Sequence, residues 1–425
     1  MIGASRGEPD AAREELLAGA EEAAPELGGL IRTYYRHVPT DELGTDRPDE
    51  LAAVVGAHRR LAEDRVPGRA AIRLGNPERR EDGWTSSSTV VQVVTDDMPY
   101  LVDSVVAALT RIDVPVNRLV HPIVVVRRDV AGTLQEVLPG VDPEQAPADA
   151  LVESWIYLEI DRITQVERAR DVEQRLHTVL TDVREVVEDS DRMIGTARAL
   201  AEELVAADLP LPEREVTDGA ALLRWLAAGR FTFLGYRHYE LIRDQEAGGR
   251  ALRAVLASGL GVLRRDSLAA RSFTVGPDIA GPDTAGPDTA GPDTGQALGP
   301  QLLVLTHASV PSTVYRPVYP YYVGVATFDE HGELSGEHRF LGVLTTTALH
   351  ADVLDIPVIR HRVLEVIRRA GFPLGSYSGQ RMLEVIQTYP RAELFSTDPD
   401  SLYTTVTGVL ALGRSEEHTS ELQSR

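Results

Sequence analysis

The run Thr89-Val90-Val91-Gln92-Val93-Val94 leaves its backbone little choice. Branching at Cβ stiffens χ1 and favours a pleated strand, and a near-continuous apolar run suits a strand covered on both faces. Asp96-Asp97-Met98-Pro99 follows. An acidic residue can cap a helix, and Pro is tolerated in the first turn. Leu101, Val105 and Leu109 then recur at helical spacing, with Val102 and Val106 beside them. This strand, turn and helix form the clearest local unit in the chain.

The neighbouring patterns extend it. Val114 to Arg128 reads as a second strand, broken near Pro122, and Val152 to Ile160 as a third. Thr164 to Glu188 reads as a long helix, with Val172, Leu176, Val179, Leu180, Val183 and Val187 on one stripe. The order β-α-β-β-α predicts an α+β domain of the ferredoxin-like kind over 81–208, with helices on one face of the sheet. Its fourth strand has no evident place, because another helix, about 191–207, follows. Residues 1–80 read as a helical segment.

A Pro-containing linker, Leu209 to Glu215, leads to a short helix and a β-rich domain over 209–350. Its strands are expected at about 231–242, 301–307, 320–328 and 338–345, with a hairpin turn at Asp329-Glu330-His331-Gly332. Gly-Pro-Asp pentapeptides interrupt it over 276–295, a low-complexity insert that cannot build a core and reads as a disordered loop rather than a calcium site. Residues 351–413 turn helical. Residues 414–425 depart from the style of the rest and resemble a translated sequencing adapter, so they are expected to be a non-native tail.

Composition removes whole classes of function. The formal net charge of −22 repels phosphate backbones, which argues against nucleic-acid binding. No apolar run nears the roughly 20 residues of a membrane span. The N-terminus lacks an apolar leader, so a cytoplasmic location is expected. There is no cysteine, hence no thiol nucleophile or cysteine-bound zinc, and all 43 basic residues are Arg. Without lysine there is no Schiff base, no P-loop lysine and no lysine general base.

The remaining motifs are sparse. Gly3-Ala4-Ser5-Arg6-Gly7 matches a nucleophile elbow without the strand it needs, and Gly259-Leu260-Gly261 lacks the third glycine of a dinucleotide fingerprint. His331 and His338 on a hairpin read as solvated rather than metal-bound, His121 as a core or edge histidine, and Arg368-Arg369 as a helix end. Two stretches stand out. Thr95 to Val105 could hold an anion at its helix start, although a purely structural turn is the simpler reading. Ser312-Thr313-Val314-Tyr315-Arg316-Pro317, running into Tyr319 to Gly324, gathers aromatics that with Phe231, Phe233 and Tyr236 form either a small sheet core or a pocket beside Arg316.

At these residues the chain resembles the large bacterial NAD-specific glutamate dehydrogenases. The resemblance rests on Val93 to Val105, Glu153-Ser154-Trp155, Leu223-Arg224-Trp225-Leu226, Phe231 to Tyr236, Ser312-Thr313-Val314 with Arg316-Pro317-Val318, Phe340-Leu341-Gly342 and Thr388-Tyr389-Pro390-Arg391. It implies the N-terminal regulatory or assembly region of a longer enzyme, with an ACT-like domain over 81–208, a PAS-like unit over 209–350 and helices over 351–413 leading into absent domains. NAD and the oxidation of L-glutamate to 2-oxoglutarate and ammonia would belong to the parent, and no cofactor to this region. It also implies a homo-oligomer formed through the parent and a small-metabolite effector, with Asp96, Asp97 and Arg316 as candidate ligand contacts. In this family's relatives among amino-acid-binding domains, Gly often follows the turn Pro; here Tyr100 stands there and would close that site. A complete, non-catalytic ACT/PAS-type binding or oligomerisation protein is the alternative.

Overall fold

A computed structural model describes residues 8–43, 47–244, 249–265, 272–275, 302–308, 310–397 and 399–423. The Gly-Pro-Asp repeat, the Ser5 motif and the end of the C-terminal tail lie outside the described residues. The chain divides into two compact units. One is Met1–Val187 with Thr313–Pro317, the other Glu188–Ser312 with Val318–Arg425.

The first unit carries helices α1 (Glu8–Ala23) and α2 (Pro48–Leu61), then strands β1 (Ala71–Gly75) and β2 (Thr89–Asp96). Helix α3 (Leu101–Thr110) leads to β3 (Val116–Val120), β4 (Ile123–Arg128), β5 (Leu134–Val137), β6 (Leu151–Ile160) and the long helix α4 (Val166–Ala206), whose residues from Glu188 onward belong to the second unit. The antiparallel sheet runs β1-β2-β6-β4-β5. β3 and β4 follow one another along the same side of β6, interrupted at Pro122 as the sequence suggests.

The fourth strand comes from upstream rather than downstream. β1 pairs antiparallel with β2, from Ala71 opposite Val94 to Gly75 opposite Val90. Residues 1–80 are therefore not helical throughout. The short segment Ala71-Ile72-Arg73-Leu74-Gly75 is half-buried on an edge, so it carries little of the alternation that reveals a strand. The expected pair of helices near 164–188 and 191–207 is one helix, α4, because Asp189-Ser190-Asp191 contains no breaker.

β2 is buried on both faces, which is why its valines run almost unbroken. On one face Val90 and Val94 join the α1 and α2 core with Leu17, Val55 and Trp155. On the other, Val91 and Val93 share a face with Thr95, whose hydroxyl meets Arg184 of α4. His58 of α2 closes the first core. Its Nε2–H donates to the Val93 carbonyl at 3.1 Å, and its Nδ1 accepts from the Tyr34 hydroxyl at 2.8 Å. Burial pushes its pKa down to about 3, which keeps the ring neutral and fixes this tautomer.

The second unit holds β7 (Phe231–Asp244), β8 (Gly249–Ala254), β9 (Leu260–Gly261), β10 (Ser272–Val275), β11 (Leu303–His307), β12 (Tyr321–Phe328) and β13 (Leu334–Leu344). The antiparallel sheet runs β10-β8-β7-β13-β12-β11, with β9 beside β7. The Asp329–Gly332 hairpin forms as the sequence suggests, its Asp329 carboxylate accepting from the backbone N–H of His331 and Glu333. Helices α5 (Glu213–Trp225), α6 (Ile359–Arg369), α7 (Tyr377–Thr388) and α8 (Pro399–Gln423) share a core with the sheet, built on Leu222, Phe233, Phe340, Val363 and Met382.

Gly259-Leu260-Gly261 has a structural role. Gly261 sits at φ +59°, and a Cβ there would lie 2.2 Å from the Leu234 carbonyl oxygen. Its N–H donates to Asp189 of α4, which also accepts from Arg264. Gly261→Ala should destabilise the second unit by about 1–3 kcal/mol or more, because left-handed strain adds to the clash. Urea unfolding followed by circular dichroism checks this, and unchanged stability would contradict the placement.

Candidate functional site

Two stretches singled out in the sequence meet in the first unit. β2 ends at Asp96 and α3 begins at Leu101, so the backbone must turn within four residues. Tyr100 takes the turn at φ +72°, a left-handed conformation unfavourable for an aromatic residue. Thr313–Pro317, far downstream, belongs to the same unit. Tyr315, also left-handed at φ +71°, donates its backbone N–H to the Ser104 hydroxyl at 2.9 Å. The Tyr100 and Tyr315 rings lie 5.0 Å apart between centroids, and the Arg316 guanidinium sits 4.8 Å from the Tyr315 ring centre. Val314 and Ser104 are buried. The downstream segment thus lies over the start of α3 like a strap.

Asp96 and Asp97 are drawn in other directions. Asp96 is held by Arg65 at 2.6 Å and by Arg184 of α4 at 2.5 Å. Burial opposes its charge, but the two guanidiniums prevail and hold the carboxyl below the usual range. Arg65 also meets Glu153 of β6 at 2.9 Å, and Arg128 of β4 meets Glu153 at 2.7 Å. The Trp155 indole N–H donates to the same carboxylate at 3.1 Å. The side chains of Arg65, Arg128 and Glu153 are almost wholly removed from water. Sequence reasoning placed Glu153 in a strand without seeing this role; no local pattern marks a partner 88 positions away.

Asp97 accepts from the Ser154 hydroxyl at 2.6 Å, and His121 Nε2 lies 2.9 Å from that same oxygen. Ser, His and Asp are therefore adjacent, but in the wrong order for hydrolysis. Ser154 gives its proton to Asp97, so it can only accept from His121, whereas a nucleophile must give its proton to the histidine. Burial lowers the His121 pKa, consistent with an enclosed, neutral ring.

The other candidates are dispersed. His338 stacks on His238 with ring centres 4.2 Å apart and accepts the Tyr236 hydroxyl, while His331 is exposed in its turn. Among the described residues there is no group of three His, Cys, Asp or Glu suited to a metal. Arg369 pairs with Asp400. Arg316 falls in the first unit, whereas Phe231, Phe233 and Tyr236 pack in the core of the second. Among the described residues no helix is long and apolar enough to cross a membrane.

Comparison with known proteins gives this arrangement its class. Residues 30–176 match the family model described as "Glutamate dehydrogenase, ACT1 domain". This range includes the upstream strand β1 and the junction at Tyr100. Residues 356–414 match "Glutamate dehydrogenase, helical motif 1". Proteins named NAD-specific glutamate dehydrogenase are similar over most of the chain. The one from Halomonas elongata is 32% identical over 92% of this chain, that from Pseudomonas aeruginosa 31% over 92%, and that from Mycobacterium tuberculosis 30% over 85%. The chain belongs to this family and matches its N-terminal region. It spans about a quarter of the length of these relatives, 23% of the first two.

Two predictions follow from the buried charges. Glu153→Gln leaves Arg65 and Arg128 without their shared carboxylate and should cost about 3–5 kcal/mol. Equilibrium urea unfolding checks it, and a loss under about 1 kcal/mol would show the charges to be solvated. Asp96 has a lower pKa folded than the roughly 3.9 of an unfolded chain. Its contribution is thus present above that value and fades as pH falls through the folded pKa. Melts from roughly pH 6 down to 3 should show a smaller acid-induced loss of stability for Asp96→Asn than for the wild type.

Proposed function

We propose that this chain is the N-terminal regulatory and assembly region of an NAD-dependent glutamate dehydrogenase, with the catalytic machinery in the remainder of the parent. The parent reaction would convert L-glutamate, NAD and water to 2-oxoglutarate, ammonia and NADH. The observation that carries this reading is the match of the first unit to a glutamate dehydrogenase ACT1 domain whose strand-to-helix junction is covered by a segment of the same chain. In such a fold that junction is a natural place for a ligand carboxylate. Here Asp96 and Asp97 hold the sheet end together, while Tyr100, Tyr315 and Arg316 occupy the space over the helix start. The strap therefore acts as a built-in occupant, and a small-metabolite effector would have to displace it.

The second unit is read as PAS-like. Taken in chain order, strands β7, β8, β11, β12 and β13 are arranged 2-1-5-4-3, which supports that reading. The parent would work as a cytoplasmic homo-oligomer. Two measurements test the proposal. The 425-residue chain alone should form no NADH from L-glutamate and NAD; turnover by it would refute the regulatory reading. In the parent enzyme, Tyr315→Ala should change the KM for glutamate, or its response to added amino acids, by about fivefold or more while leaving the fold intact. Kinetics identical to the wild type would refute a regulatory role for the strap.

A further inference from the structure

The strap also walls a second feature of the first unit. A cavity of about 210 Å³ lies between α3 and α4, lined by Ala108 of α3 and Arg111 just after its end, by Gln174, Arg175, Thr178 and Val179 of α4, and by Thr313. That is below the roughly 300–1,000 Å³ of sites for drug-sized ligands, so only a small molecule fits.

Its lining is rich in donors. In a chain of net charge −22, two guanidiniums have been brought to one small cavity. The arrangement has a cost: burial first, and the nearby charge of Arg175 second, lower the pKa of Arg111. Asp182 attracts Arg111, and Asp171 accepts from Arg175 Nε at 3.3 Å. Asp171 engages the Nε–H of Arg175, and a guanidinium has four further N–H donors that can turn to a ligand. The Gln174 amide and Thr313 hydroxyl add to them. The Thr178 hydroxyl is committed to the Gln174 carbonyl at 2.9 Å and offers only lone pairs. Among the described residues no carboxylate lines the cavity itself. Ala108 and Val179 give it an apolar side suited to a short carbon chain.

We propose that this cavity binds a small metabolite bearing an oxyanion, a carboxylate or a phosphate, gripped between Arg111 and Arg175 and roofed by Thr313. Planar guanidinium pairs match both anions in a bidentate manner. The site is separate from Asp96, Asp97 and Arg316. Its test is binding to the chain alone, so the result does not depend on the dehydrogenase reading.

The experiment is calorimetric titration of the 425-residue chain with inorganic phosphate and, separately, malonate at constant ionic strength. Saturable one-site binding of either is expected. Saturation by phosphate alone would assign a phosphorylated ligand, by malonate alone a carboxylate, and by both the shared chemistry. Arg175→Gln should weaken binding at least about tenfold, as loss of a charge-assisted pair implies. This side chain is 52% exposed, so the variant keeps its fold. Ala108→Leu, which fills the cavity without touching a charge, should weaken binding as well. Absence of saturation with both anions would overturn the proposal. So would wild-type affinity in Arg175→Gln, or in a folded Ala108→Leu.

Discussion

The first unit depends on a carboxylate that has left water. Glu153 is held between Arg65 and Arg128 and capped by the Trp155 indole, and Arg65 passes the connection on to Asp96 and then Arg184. The chain of charges joins the segment before β1 to β2, β4, β6 and α4. Such a network adds little net stability compared with apolar packing, because desolvation offsets most of the attraction. What it provides is geometry. It fixes where β2 stops, and so where α3 must start. Arginine suits this role, since its planar fork can serve two carboxylates at once, as Arg65 does. A chain without lysine has made every internal ion pair of this kind with guanidinium.

The junction that follows bears the consequence. With Asp96 pinned, the turn into α3 is tight enough to place Tyr100 in a left-handed conformation, where glycine would be comfortable. The ring then has a fixed direction, and Tyr315 packs against it in a similarly unfavourable conformation. Two strained tyrosines facing one another are held by surrounding structure, here by the Ser104 hydrogen bond and the burial of Val314. Strain of this type tends to collect at places that switch.

How much of this the sequence disclosed follows from range. β2, α3 and the first part of α4 were legible because their signals are local: branched residues in a row, or apolar residues at helical spacing. The Asp329 hairpin was legible for the same reason. β1 was not, because an edge strand of five half-buried residues needs no alternation. The two stretches around Tyr100 and Tyr315 were both conspicuous, yet their meeting was invisible, since 211 positions separate Tyr315 from Ser104. Asp96, Asp97 and Arg316 were selected for their chemistry, and the acidic pair proved to be tied to partners in β6 and α4 or in the segment before β1. His58, buried against the backbone of β2, carried no signal at all, because an isolated histidine in a helix looks solvated.

The second sheet places a condition on the chain that joins its two outer strands. β10 and β11 are consecutive in the described chain but lie at opposite ends of the strand order. Six strands at the usual spacing put those ends about 24 Å apart. Any chain that joins them must therefore contain at least roughly seven residues, whatever their identity. Shortening the sequence between Val275 and Leu303 below that length would pull one outer strand out of the sheet.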